Sequence, residues 1–321
     1  MAGWLAVALC AILVVSGALG HAELGSSVAL GFVLAAVPSL PDRLGAAAVT
    51  VAVRGLTLIV AAVVVELTTG SPVAHGVTIV VAATLGALVE RIGATAGLAV
   101  VLIAVDGGTA ATPPWPYAAG ALAVMVAWLA WWACTRVLST DRGESPPLVS
   151  AVERGHAIRV AVAVGCAVVI AGLLPADLVG GHWLITSVLL TIQPRRDQTG
   201  VRMAQRLSGN AVGAVIAAVI LGAQPPAPVV VAITMALFVL AMALRPVNYT
   251  WWAVTGPPVL LVISEYPGLF PWYEGGVRLA MNLGGALIVL VVVFGTAWLV
   301  RPTHIARYRI VYPKMFRRSR Q

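Results

Sequence analysis

Lysine is almost missing from this chain: of twenty basic residues only Lys314 is one, and the rest are arginine. Charge of either sign is scarce, at 10% of the 321 residues against roughly 25% in soluble domains. With 60% hydrophobic residues and a mean hydropathy of +0.97, that scarcity excludes an ordinary water-soluble fold. An integral membrane protein of many helices is implied. Cysteine is rare as well. Cys10, Cys134 and Cys166 lie in apolar stretches without CxxC or metal-ligand spacing, so they read as small hydrophobes. No GxGxxG follows a strand, and GxxxxGK[ST], HExxH and GxSxG motifs are all missing. Acidic residues and histidines are scattered instead of gathered on the loops of one face. Neither an enzyme nor a cofactor nor a metal site is expected, and uphill transport would have to draw on an ion gradient.

What is present is a series of apolar stretches, at approximately 4–19, 26–38, 45–65, 72–89, 93–106 and 117–138. After a polar linker they resume at 157–174, 183–193, 203–222, 227–244, 250–264 and 276–300. Several fall short of the roughly 20 residues that cross a bilayer. Stretches such as 26–38 and 183–193 are expected to be broken or re-entrant, packed against protein. Pro38 and Pro194 end them, since proline lacks the amide hydrogen that continues a helix. Residues 1–22 have an apolar core but no basic n-region, so they are read as a retained first helix and not as a signal peptide.

The two halves echo one another. Cys10 and Cys166, like Pro38 and Pro194, stand 156 residues apart. Arg54 then falls near Arg206, Arg91-Ile92-Gly93 near Arg245-Pro246-Val247, and Pro114-Trp115 on Pro271-Trp272. Six helices per unit would keep both copies in one orientation, related by a pseudo-two-fold axis along the membrane normal. The expected division is a first half at 1–138, a cytoplasmic linker at 139–156, a second half at 157–300 and a basic tail at 301–321.

Loop charges set the orientation. With the N-terminus inside, Arg43, Arg91, Arg195, Arg196, Arg202 and Arg245 fall on cytoplasmic turns. Glu23, Glu66, Asp106, Asp177, Glu265 and Glu274 fall on the opposite side. This asymmetry is what the positive-inside rule demands, and it makes both termini cytoplasmic. It also accounts for the net charge of +8 without nucleic acid. The tail from Arg307 to Arg320 reads as an anchor attracted to anionic lipid, each charge contributing ~1 kcal/mol. The arginine-rich, lysine-poor composition suits a GC-rich bacterial genome, and hence a bacterial inner membrane.

The most informative positions are Arg202, Arg206, Gly209 and Gly213, which share one stripe of a helix. An arginine at the centre of a membrane helix costs at least ~2.5–3.5 kcal/mol on insertion scales unless it snorkels or faces a wet space. Arg54 and Arg206 are therefore candidates to receive a carboxylate, which the planar guanidinium can grip with two hydrogen bonds. The structural alternative for either is a buried partnership with Glu66, Glu90 or a backbone carbonyl. Arg202, Arg91 and Arg245 are further candidates, although topology alone accounts for the last two. Gly209 and Gly213 form a small-xxx-small pair suited to helix packing, and Asn210 is an amide placed to hydrogen-bond across helices. Trp183, Trp251 and Trp252 could stack on an aromatic substrate, whereas Trp115, Trp272 and Tyr273 suit an interfacial belt. Glu66, Glu90, Asp106 and His182 are the candidates for proton coupling; His21 and His75 read as loop residues.

The run Trp183…Gln193-Pro194…Thr199…Arg202…Arg206-Leu-Ser-Gly209-Asn-Ala-Val-Gly213 resembles the signature region of the fusaric-acid-resistance-like (FUSC) superfamily. That group includes bacterial aromatic acid exporters and, more distantly, the aluminium-activated malate channels of plants. Trp183, Gln193, Pro194, Arg206, Gly209 and Gly213 match its pattern. Asn210 replaces the usual threonine, and Ser27 stands where the first half would need its own tryptophan. The resemblance covers about thirty residues. It implies six-helix units pairing around a conduit and export of small organic anions, often aromatic carboxylates. Many family exporters carry sizeable cytoplasmic domains, which the short linker and tail here do not supply.

The expectation is an all-α membrane transporter of about twelve helices that exports small organic, aromatic carboxylate anions along an arginine-lined path. It would be driven by an ion gradient or the membrane potential. Its partners would be the anion and the lipid bilayer, not nucleic acid, in a layout compatible with an oligomer. The rival reading is a scaffold protein of the cell envelope that transports nothing.

Overall fold

The computed structural model describes residues 2–36, 40–41, 43–89, 91–107, 113–138, 154–175, 180–223, 226–244, 248–256 and 273–295. Every element among them is a helix. In chain order these are α1 (Ala2–Ala18), α2 (Ala22–Ala36), α3 (Leu44–Thr68), α4 (Pro72–Leu88), α5 (Thr95–Gly107) and α6 (Trp115–Leu138). The series continues with α7 (Arg154–Leu173), α8 (Gly181–Thr191), α9 (Arg196–Ala223) and α10 (Ala227–Leu244). A helical segment covers 249–256, and α11 (Tyr273–Leu290) runs on into a π-helical turn at Val291–Gly295. His75, expected in a loop, sits in the first turn of α4. Pro38, Glu90, Arg245, Trp272, most of the linker and the whole tail lie outside the described residues.

Among the described residues, four helical stretches are long and apolar enough to cross a membrane: Leu44–Thr68, Trp115–Thr135, Gly155–Leu173 and Gly276–Gly295. The shorter apolar helices α2, α5 and α8 pack among them. Helix α3 shows why. Its buried residues Ala47, Val51, Arg54, Leu58 and Ala61 recur at three- and four-residue steps, forming one inward stripe. Leu56, Val60, Val63 and Leu67 on the other side are exposed. Exposed valine and leucine also line α1, α6, α7, α9 and α11. So much uncovered apolar surface is untenable in water but is what lipid tails solvate. This is a multi-pass membrane protein.

Small residues set the closest packing. A β-carbon on Gly120 of α6 would collide with the α2 backbone at Val28 and Phe32, and one on Gly285 of α11 with Ser187 of α8. Helix α2 thus lies tightly against α6, and α8 against α11. Helix α1 packs on α2 and α6, as α7 does on α8 and α11. Between the two sets, α4 packs on α7 and α10 on α1.

Candidate functional site

The turn between α8 and α9 is tied by Thr199, which is fully buried. Its hydroxyl accepts from the Gln193 amide at 3.0 Å and lies 3.2 Å and 3.1 Å from the carbonyls of Gln193 and Arg195. Arg159 of α7 donates to the Pro194 carbonyl at 2.6 Å. Held this way, α9 begins at Arg196, about two turns before the apolar pattern becomes visible at 203. Arg202, Arg206, Asn210 and Gly213 follow at helical spacing. Gly209 and Gly213 face the segment 249–256. A β-carbon on Gly209 would overlap that of Ala253, and one on Gly213 would overlap the Val254 carbonyl. This close approach brings Tyr249 between Arg202 and Arg206 of α9.

Arg206 is 8% exposed and donates to the Tyr249 hydroxyl at 3.1 Å and to Asn282 Oδ1 at 3.0 Å. The Arg202 guanidinium lies 3.7 Å over the ring of the same Tyr249, within the range of a cation–π contact. No carboxylate stands within ion-pair distance of either arginine among the described residues. Two donors point nowhere: Arg206 Nε and the amide nitrogen of Asn210, itself 6% exposed, are buried without a partner. A buried amide or guanidinium donor in that state costs about 1–3 kcal/mol.

Helix α11 completes the cluster. Asn282 donates to the Arg278 carbonyl at 2.8 Å, and its own carbonyl accepts from Ser187 of α8. The Arg278 guanidinium sits 3.8 Å over the Trp183 ring, with His182 against the same indole. The contacts Trp183 to Arg278 and Ser187 to Asn282 advance together, so α8 and α11 run parallel. The short turn at 192–195 reverses α9. Arg202 and Arg278 therefore flank the Arg206–Asn282 bond on opposite sides, giving three arginines in a row with Tyr249, Asn282 and Trp183 as neutral spacers.

Arg54 belongs to a different setting. At 3% exposed, it donates to the Ala35 carbonyl in the last turn of α2 at 2.8 Å. Its Nε reaches the Arg91 carbonyl beyond α4 at 3.2 Å. The first is a carbonyl at a helix C-terminal end, which lacks an intrahelical partner and attracts a cation, and the second lies in the turn between α4 and α5. Arg91 contributes that backbone oxygen and leaves its own side chain exposed. Among the described residues, the hydrogen-bond partners of Arg54 and Arg206 are different. Trp251 is exposed, and Trp252 packs at the edge of the core.

Of the candidates read from sequence, the structure gathers Trp183, Arg202, Arg206 and Asn210 with the two glycines. It adds Tyr249, Arg278 and Asn282. Arg278 was not among the candidates read from the sequence; it lies inside α11. Its spacing of four residues from Asn282 placed both on one helical face.

Residues 166–292 match the family model described as fusaric acid resistance protein-like. This stretch of the second half is similar to that family. That span takes in α8, α9, Tyr249, Arg278 and Asn282, so the whole arginine row falls within the matched region. No curated protein and no solved structure matches the chain. A FUSC-like membrane protein is consistent with a transport or efflux role.

Proposed function

We propose that the chain carries small organic anions, aromatic carboxylates among them, out of the cell along the row Arg202, Arg206, Arg278. One observation carries this reading. Arg206 and Arg202 are positive charges set into an apolar bundle with only neutral partners, beside two unpaired buried donors. A carboxylate would supply the missing charge and accept from both Arg206 Nε and the Asn210 amide. Planar guanidinium groups favour that bidentate grip. Trp183 and Tyr249 offer ring faces beside the charges, which suits an aromatic body on the anion.

With the basic turns in the cytoplasm of a bacterial inner membrane, Arg202 faces the cytoplasm and Arg278 the outside. A membrane potential negative inside favours anion exit by ~2.3 kcal/mol per charge per 100 mV. The chain is read as two six-helix units. Its support is the matched order of pairings, with α4 on α7 answered by α10 on α1. On this view Arg54, clamped on backbone oxygens, serves the architecture of the first unit, and the second unit holds the substrate.

The test is efflux of radiolabelled phthalate from reconstituted vesicles, phthalate being an aromatic dianion that crosses bare bilayers poorly. Wild-type protein releases it; Arg206→Gln, monodisperse and folded, does not. Equal release by the two would reject the assignment.

A further inference from the structure

The first half holds a second polar centre, of opposite charge. Asp106, in the last turn of α5, accepts from Ser27 at 2.6 Å and Tyr117 at 2.9 Å, both on Oδ2. Ser26 approaches Oδ1 at 3.4 Å. Ser27 is 5% exposed and Tyr117 is fully buried, so two of these donors come from packed helix faces on α2 and α6. The other carboxylates with described side chains, Glu23, Glu66 and Asp197, are all exposed, whereas Asp106 is half-buried. The charged and titratable groups on the helices packed against α5 are Glu23, Arg54, Glu66, His75 and His182. None of them stands within hydrogen-bond or ion-pair distance of Asp106.

Asp106 is half-buried at the end of α5, so solvent still reaches it, and the hydroxyls that hold it would be held as well by an asparagine carbonyl. What the carboxylate adds is the ability to take up and release a proton. Its shell suits both states. Hydroxyls donate to the ionised group, and when Asp106 is protonated one hydroxyl can turn and accept from it. Position points the same way. Ser27 stands 156 residues before Trp183, the separation that aligns the two halves, so Asp106 occupies the end of the first half that Arg278 occupies in the second.

We infer that Asp106, with Ser27 and Tyr117, is a proton-binding site that couples an inward proton to outward movement of the anion. This rests on the transport reading but uses residues apart from the arginine row. In the exchange Asp106 takes a proton from the outer solution as carboxylic acid and returns it to the cytoplasm as carboxylate; no other bond changes.

The experiment uses the full chain in vesicles loaded with phthalate, with the membrane potential clamped and the outside made acidic. Wild type should show efflux accelerated several-fold by the pH gradient. Asp106→Asn should keep its efflux down the phthalate gradient and lose the acceleration. Tyr117→Phe, which removes one donor and keeps the ring, should weaken it. Acceleration unchanged in Asp106→Asn, wild-type efflux indifferent to the pH gradient, or a sodium gradient acting in its place would each overturn the assignment. If wild type passes no phthalate, the transport reading fails separately. The proton site is then read by infrared difference spectroscopy, acidified minus neutral. A carboxylic acid band shifted in Tyr117→Phe and missing in Asp106→Asn supports it, and a spectrum unchanged in both removes it.

Discussion

Replacing each of two buried arginines by methionine should move stability in opposite directions. Arg206 makes two hydrogen bonds to neutral side chains, at 3.1 Å and 3.0 Å, and leaves Nε unpaired. Hydrogen bonds from a charged donor contribute about 1.5–3 kcal/mol each. Against this stands the penalty for burying an ion without a counter-charge, still several kcal/mol after relaxation. The two nearly cancel, and the apolar replacement also removes an unpaired donor. Arg206→Met should unfold at or above the wild-type temperature while abolishing phthalate efflux. Arg54 seals two backbone carbonyls, at 2.8 Å and 3.2 Å, the first of them in the last turn of α2, where the helix end favours its charge. Leaving both unsatisfied costs about 1–3 kcal/mol apiece, so Arg54→Met should unfold clearly below wild type. The assay is the midpoint of thermal unfolding in detergent, followed by tryptophan fluorescence. A fall for Arg206→Met as large as that for Arg54→Met would refute the idea that Arg206 is held at the expense of stability.

Two further substitutions separate roles within the cluster. Tyr249→Phe removes the hydroxyl that Arg206 uses but keeps the ring under Arg202, so efflux should fall a few-fold; Tyr249→Leu removes both and should lower it much further, and equal losses would contradict the division. Gly213→Leu should collapse the folded yield on size exclusion, because its side chain must enter the backbone at Val254. Gly17→Ala, which meets nothing within 4 Å, should leave the yield unchanged.

Much of this was legible from the chain because helical periodicity and membrane chemistry speak through single residues. An arginine and two glycines at i, i+3 and i+7 announce a close helix contact around a charge, and α9 has that contact. The membrane character followed from composition alone. What stayed hidden depended on partners distant in sequence. Arg54 and Arg206 look alike in their apolar settings, and only the packing assigns one to backbone carbonyls and the other to side chains. Tyr249 and Asn282 are ordinary residues until α9 places Arg206 between them. Arg278 was obscured by its place near a helix start, where a loop cation and a buried one read the same. Asp106 was one of several acids named by location; the hydroxyls that single it out come from α2 and α6.

The central claim is that an anion binds at Arg206, and 4-bromobenzoate bound to the full chain tests it most directly. The bromine gives the ligand an unmistakable density. The account predicts its carboxylate against Arg206 and Asn210, with the ring toward Tyr249 or Trp183. Density confined to the membrane surface, with the Arg206–Asn282 bond undisturbed at saturating ligand, would contradict it.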